Sequence, residues 1–177
     1  IWAWRYERIQ QIREAVSHML VLFPFEVEIY EKEGIPVTYV GHPLADAIDL
    51  EPDQLAARRL IGVPDDARVI AVLPGSRASE IRLMAPRFLM AAQTLAKRDP
   101  SLVFVVPMVN EQRQAEFQAV LDQYPVARLK VLTPSLVQAS DAMPLSWQAL
   151  AACDMAMVTS GTATLETALF KRPMIIS

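Results

Sequence analysis

Short apolar runs alternate with segments of helical periodicity along almost the whole chain, and this constrains the fold more than any other feature. The runs lie at 18–22 (His-Met-Leu-Val-Leu), 37–40, 69–73, 102–106, 128–132, 155–158 and 174–176. They are rich in Val, Ile and Leu and lack an in/out alternation, as strands covered on both faces do. Between them, Ile81, Met84, Ala85, Phe88, Leu89, Ala92 and Leu95 recur at helical spacing, which predicts an amphipathic helix over 79–97. Shorter helices are predicted over 5–16, 24–33, 53–61, 110–123, 145–152 and 162–170. Strand and helix in succession give an α/β fold, a Rossmann-like parallel sheet with helices on both faces.

The 177 residues suffice for one full core with a piece of a neighbouring domain attached. The break falls at Pro43 to Pro52, which reads as a connector; beyond it the alternation restarts with longer helices. A domain boundary is therefore expected near residue 45, separating residues 1–45 from a nucleotide-binding domain at 46–177. A chain that opens on Ile1 and closes on the strand-like Met174-Ile175-Ile176-Ser177 is expected to be an internal piece of a longer protein. Hydrophobic residues make up 53% and charged residues 21%, which excludes a disordered chain. A formal net charge of −3 speaks against broad, nonspecific nucleic-acid binding, so any anion site must be local. The lone Cys153 allows no internal disulfide and no cysteine metal cluster, and suits a reducing compartment. No apolar run approaches the ~18 residues that a membrane span needs.

Only five residues are glycine, so their placement is informative. Gly34 and Gly62 fall just past helix ends and Gly41 lies beside the connector. Gly75 and Gly161 share another setting, since each follows a strand and opens a helix. In a parallel sheet such turns lie at the carboxyl ends of the strands, where open α/β folds bind ligands. Helix N-termini there present unpaired N–H groups and the positive end of the macrodipole, which suit phosphate. In Leu73-Pro74-Gly75-Ser76-Arg77, Gly75 lets backbone come close to a ligand, Ser76 supplies a hydroxyl and Arg77 a two-pronged donor. The alternative is a tight turn in which Ser76 caps the helix and Arg77 is solvated or paired with Glu80. In Thr159-Ser160-Gly161-Thr162-Ala163-Thr164-Leu165-Glu166, several hydroxyl residues crowd a helix start. Glu166, one turn in, can accept two hydrogen bonds from vicinal hydroxyls, as a ribose requires, or can be an ordinary polar residue on that helix. Together the two turns point to a nucleotide with a ribose and phosphates.

Other residues carry weaker signals. His42, in Gly41-His42-Pro43, is either a functional group at a cleft or a structural residue, while His18 reads as core or edge. Asn110 reads as a helix cap, and Asp65-Asp66 lacks metal-binding spacing. No Gly-x-x-x-x-Gly-Lys run marks a P-loop enzyme. Trp2, Trp4, Arg5, Tyr6 and Arg8 set aromatics beside cations, which suits either a membrane surface or acyl-bearing substrate, or a domain core with arginines on its rim.

Five stretches in order resemble the lipid-A-disaccharide synthase family: Trp2-Ala3-Trp4-Arg5, Leu22-Phe23-Pro24-Phe25-Glu26, Val40 through Asp46, Leu73 through Arg77 with Glu80, and Ser160 through Glu166. The resemblance implies a two-Rossmann-domain (GT-B) glycosyltransferase of Gram-negative bacteria. Such enzymes move 2,3-diacylglucosamine from its UDP carrier to 2,3-diacylglucosamine 1-phosphate, forming the lipid A disaccharide and releasing UDP. It further implies that residues 1–45 end an acceptor domain, that no metal or other cofactor is needed, and that the protein acts peripherally at the cytoplasmic face of the inner membrane. A homo-oligomer is left open. By the same resemblance Arg77 is the catalytic donor-site residue, and Gly75, Ser76, Glu80, Ser160, Gly161, Thr162 and Glu166 lie on the nucleotide side. The family's N-terminal half, with the expected general base, would lie upstream of Ile1, and Pro134–Pro144 has no anchor in the family pattern. Alternatives on the same scaffold are an enzyme like UDP-N-acetylglucosamine 2-epimerase, or a nucleotide-sugar-binding module without catalysis.

Overall fold

A computed structural model describes residues 5–134 and 143–177, which fall into two compact units, Ile1–Ala47 and Ile48–Ser177. Trp2 and Trp4 lie outside the described residues, as does most of Pro134–Pro144.

The first unit runs α1 (Arg8–Ala15), β1 (Met19–Val21), α2 (Pro24–Lys32), β2 (Val37–Tyr39) and α3 (Pro43–Ala47). The two strands pair in parallel with Met19 opposite Val37, over a small core of Ile9, Val21, Tyr30 and Ile35. Pro24 opens α2 at a position where no N–H is needed, and Glu26 accepts the Phe23 N–H at 3.3 Å. The stretch expected to be a plain connector contains α3. His42 caps that short helix: its Nδ1 accepts the Leu44 N–H at 3.2 Å, and its ring lies 5.6 Å from that of Phe23.

The second unit contains α4 (Gln54–Leu60), β3 (Val69–Leu73), α5 (Ala78–Arg98), β4 (Val103–Pro107), α6 (Glu111–Leu121), β5 (Leu129–Leu132), α7 (Leu145–Ala152), β6 (Met155–Val158), α8 (Thr162–Leu169) and β7 (Met174–Ile176). Its strands form one sheet in the order β5-β4-β3-β6-β7, and every pairing is parallel. The chain thus starts at the central β3, steps outward to β5, and returns to β6 on the other side. This reversal between β3 and β6, where Ala71 faces Ala156, is the switch point at which ligands bind in doubly wound sheets.

All five residues of β3 are buried, which explains why its sequence shows no alternation. One core joins Ile70 and Val72 of β3 and Phe104 and Val106 of β4 to the stripe of α5 (Ile81, Met84, Ala85, Phe88, Leu89, Ala92) and to Phe117 of α6. That stripe holds α5 together through Pro86 inside it. At the amino edge of the sheet an ion pair joins α4 to the strand starts. Buried Arg58 donates twice to Asp154 (2.8 and 2.9 Å) and to the carbonyls of Ala152 and Asp65, while Asp154 Oδ2 accepts the Val69 N–H at 2.7 Å. Arg172 donates to the Leu150 and Ala151 carbonyls, so two guanidinium groups cover the last turn of α7, where no intrahelical donor reaches.

Candidate functional site: the two strand-to-helix turns

The turn after β3 is shaped by a carboxylate of the chain itself. Arg77 is the residue that precedes α5 in extended conformation, and Glu80 reaches back one turn. Its Oε2 accepts the N–H groups of Ser76 (2.9 Å) and Arg77 (3.2 Å), and its Oε1 accepts from Arg77 Nη1 at 2.5 Å. Burial alone would raise the Glu80 pKa, but these hydrogen bonds and the adjacent guanidinium outweigh it and hold the carboxyl below the usual range. Gly75 sits at φ +116°, and a Cβ there would overlap Glu80 Cβ and come within 2.6 Å of its Oε2. The close approach that glycine permits is therefore to Glu80 as well as to any ligand. The cap is at Arg77, one residue beyond the alternative that placed it on Ser76, and Arg77 is paired with Glu80 as that alternative had it.

The turn after β6 is open. Thr159 N–H donates to Leu73 O and Ser160 N–H to Ser177 O, both at 3.0 Å, which ties the turn across β3, β6 and β7. The N–H groups of Gly161, Thr162 and Ala163 at the head of α8 carry no hydrogen bond to any described residue, and no side chain caps this helix. Thr164 turns inward instead, donating its N–H and its hydroxyl to Gly161 O. Three free amides and the positive end of a helix thus face one place, beside the hydroxyl residues Ser160 and Thr162.

A cleft of about 360 Å³ joins the two turns at the carboxyl edge of the sheet. Gly75, Ser76, Arg77, Glu80, Ser160, Gly161, Thr162 and Glu166 all line it. The lining also includes Pro107, the last residue of β4, Val109 just beyond it, and Ser146 of α7. The sequence reading did not single these out. Pro107 was legible in principle, because the turn after β4 must reach the same edge. Ser146 had no such signal, since no strand directly precedes its helix. Thr159 also lines the cleft, with a buried hydroxyl oxygen that has no partner among the described residues. His42 belongs to the first unit, where it caps α3, and exposed His18 bonds Thr38 Oγ1 at 2.9 Å. Asn110 caps α6 by accepting the Arg113 N–H at 2.9 Å, and Asp65 pairs with Arg59 at 2.7 Å.

With this geometry in hand, comparison with known proteins is decisive about kinship. A family model described as lipid-A-disaccharide synthetase matches residues 1–177. The chain belongs to that family. It is 68% identical over 177 residues to the lipid-A-disaccharide synthase of Bordetella petrii, covering all of this chain and 45% of that protein. It is 48% identical over 177 residues to the one from Cupriavidus pinatubonensis, covering 42% of it. The chain thus spans less than half the length of these relatives. Among solved structures, a glycosyl transferase family 9 protein from Veillonella parvula superposes with a TM-score of 0.53 at 14% identity, over 85% of this chain and 41% of that one. That likeness supports the shared α/β fold. The family match sets aside the 2-epimerase alternative.

Proposed function

We propose that this chain forms the UDP-sugar side of a lipid-A-disaccharide synthase, with residues 46–177 as the nucleotide-sugar domain and residues 1–45 as the end of the acceptor domain. The whole enzyme would transfer 2,3-diacylglucosamine from UDP to 2,3-diacylglucosamine 1-phosphate. The observation that carries the reading is the single cleft at the β3/β6 switch point, into which open amides, hydroxyls, one arginine and two carboxylates converge. The diphosphate takes the Gly161, Thr162 and Ala163 amides and the hydroxyls of Ser160 and Thr162, with Arg77 on its flank. Glu166, one turn further along α8, accepts the ribose hydroxyls.

As the sugar–oxygen bond breaks, negative charge grows on the departing β-phosphate. Preorganised amides and the Arg77 guanidinium stabilise it there at little reorganisation cost, so their effect on rate exceeds their effect on binding. The proton of the attacking hydroxyl goes to a base supplied from elsewhere in the whole protein. Exposed Arg5 and Arg8 of the first unit are the candidates for a peripheral contact with anionic lipid, and glutamate at both positions should weaken binding to anionic vesicles.

The test is single-turnover transfer by the full-length protein. Losing a charge-assisted bond to phosphate costs roughly 1.5–3 kcal/mol in binding, and Arg77→Ala should cost more than that in rate. Arg77→Lys should restore part of the rate, because it keeps the charge without the fork. Near-normal turnover by Arg77→Ala, with UDP still bound, would leave Arg77 a surface residue. UDP binding without any transfer by the full-length protein would favour a binding module.

A further inference from the structure

The two partners of the Arg77–Glu80 pair are held very differently. Glu80 is anchored: two backbone N–H groups fix its Oε2, it packs against Gly75, and only 25% of its side chain is exposed. Arg77 is tethered by one nitrogen and its side chain is 78% exposed. Both line the cleft. A fixed carboxylate therefore already occupies the guanidinium that a nucleotide phosphate would need.

We propose that Glu80 is a positioning residue that serves as the cleft's own resident anion: it holds Arg77 at the mouth of the site, and an incoming phosphate takes Arg77 from it. The inference rests on the reading of the cleft as a nucleotide site, and it assigns Glu80 no contact with the ligand. The backbone amides of Ser76 and Arg77 stay on Glu80 throughout, so the turn keeps its shape while the side chain of Arg77 changes partner. The phosphate's own backbone donors are those of Gly161, Thr162 and Ala163, which have no such occupant among the described residues.

A resident anion makes a prediction that neither a helix cap nor a ligand contact makes: removing its charge should strengthen phosphate binding. Glu80→Gln keeps an oxygen for both amides, so the turn survives, and thermal melts verify this. UDP and uridine are titrated calorimetrically into the full-length protein and into its Glu80→Gln, Arg77→Ala and doubly substituted forms. Because an exposed ion pair must no longer be broken, Glu80→Gln should bind UDP about two- to fivefold more tightly. Uridine, which lacks phosphate, should bind unchanged, and the gain should disappear when Arg77 is alanine. Weaker UDP binding by Glu80→Gln would make the carboxylate a ligand contact, and unchanged binding would leave it a helix cap; either result overturns the proposal. Wild-type protein that takes up no UDP overturns this inference and the nucleotide reading together. UDP binding that Arg77→Ala weakens and Glu80→Gln does not strengthen overturns this inference alone.

Discussion

Replacing Gly75 with alanine places a methyl group where Glu80 already sits, and the structure lets the cost be apportioned. The backbone at φ +116° lies outside the regions open to L-residues, a strain of about 1–3 kcal/mol. The new Cβ would also overlap Glu80 Cβ, so the first turn of α5 must shift and the Ser76 and Arg77 amides lose their acceptor. Loss of such a cap costs about 1 kcal/mol. The sum is about 2–4 kcal/mol, which lowers the melting temperature of a unit of this size by roughly 6–12 °C. Gly34 supplies the control, since it also has a positive φ (+68°) but nothing lies within 4 Å of its would-be Cβ. Gly34→Ala should therefore show the conformational cost alone. The assay is thermal and urea unfolding of both variants in the full-length protein, followed by UDP titration. If Gly75→Ala is no more destabilising than Gly34→Ala and binds UDP normally, the packing of Glu80 against Gly75 does not shape the site.

Two further outcomes test other parts of the molecule. Arg58→Met should destabilise by about 2–4 kcal/mol, toward the low end for a buried pair because the Asp154 side chain is 45% exposed. Its UDP affinity should be unchanged, since the network lies at the amino edge of the sheet. Burial pushes the Cys153 thiol up to about 12, so in the folded protein it should resist alkylation at pH 8 and react on unfolding. Because that folded pKa is raised, the associated stability is complete below the unfolded value of about 8.5 and is lost as pH rises through the folded one. Denaturation curves of wild-type and Cys153→Ala protein across this range measure the effect.

The strands were legible because a strand buried on both faces must be an apolar run, and each run in the sequence became one. The long α5 was legible through its stripe. Its boundaries moved by a residue at each end, and α1 begins later than expected, at Arg8. The short α3 was not legible: it has too few turns to show a period, and a histidine caps it. The eight candidate residues line one cleft because glycine after a strand and before a helix marks the carboxyl edge of a parallel sheet. What spacing alone hid was the capping role of Glu80, whose pairing with Arg77 was legible. The usual capping signature puts Ser or Thr three residues before the acidic residue, and here that place is held by Arg77, with Ser76 one step further back. That Gly75 makes room for this carboxylate thus became visible only in three dimensions, as did the contribution of Ser146.

A crystal structure of the full-length protein with UDP tests the central claim most directly. The diphosphate should lie on the Gly161, Thr162 and Ala163 amides with Arg77 beside it, and both ribose hydroxyls should reach Glu166. UDP bound elsewhere, with the cleft between the β3 and β6 turns empty, would contradict it.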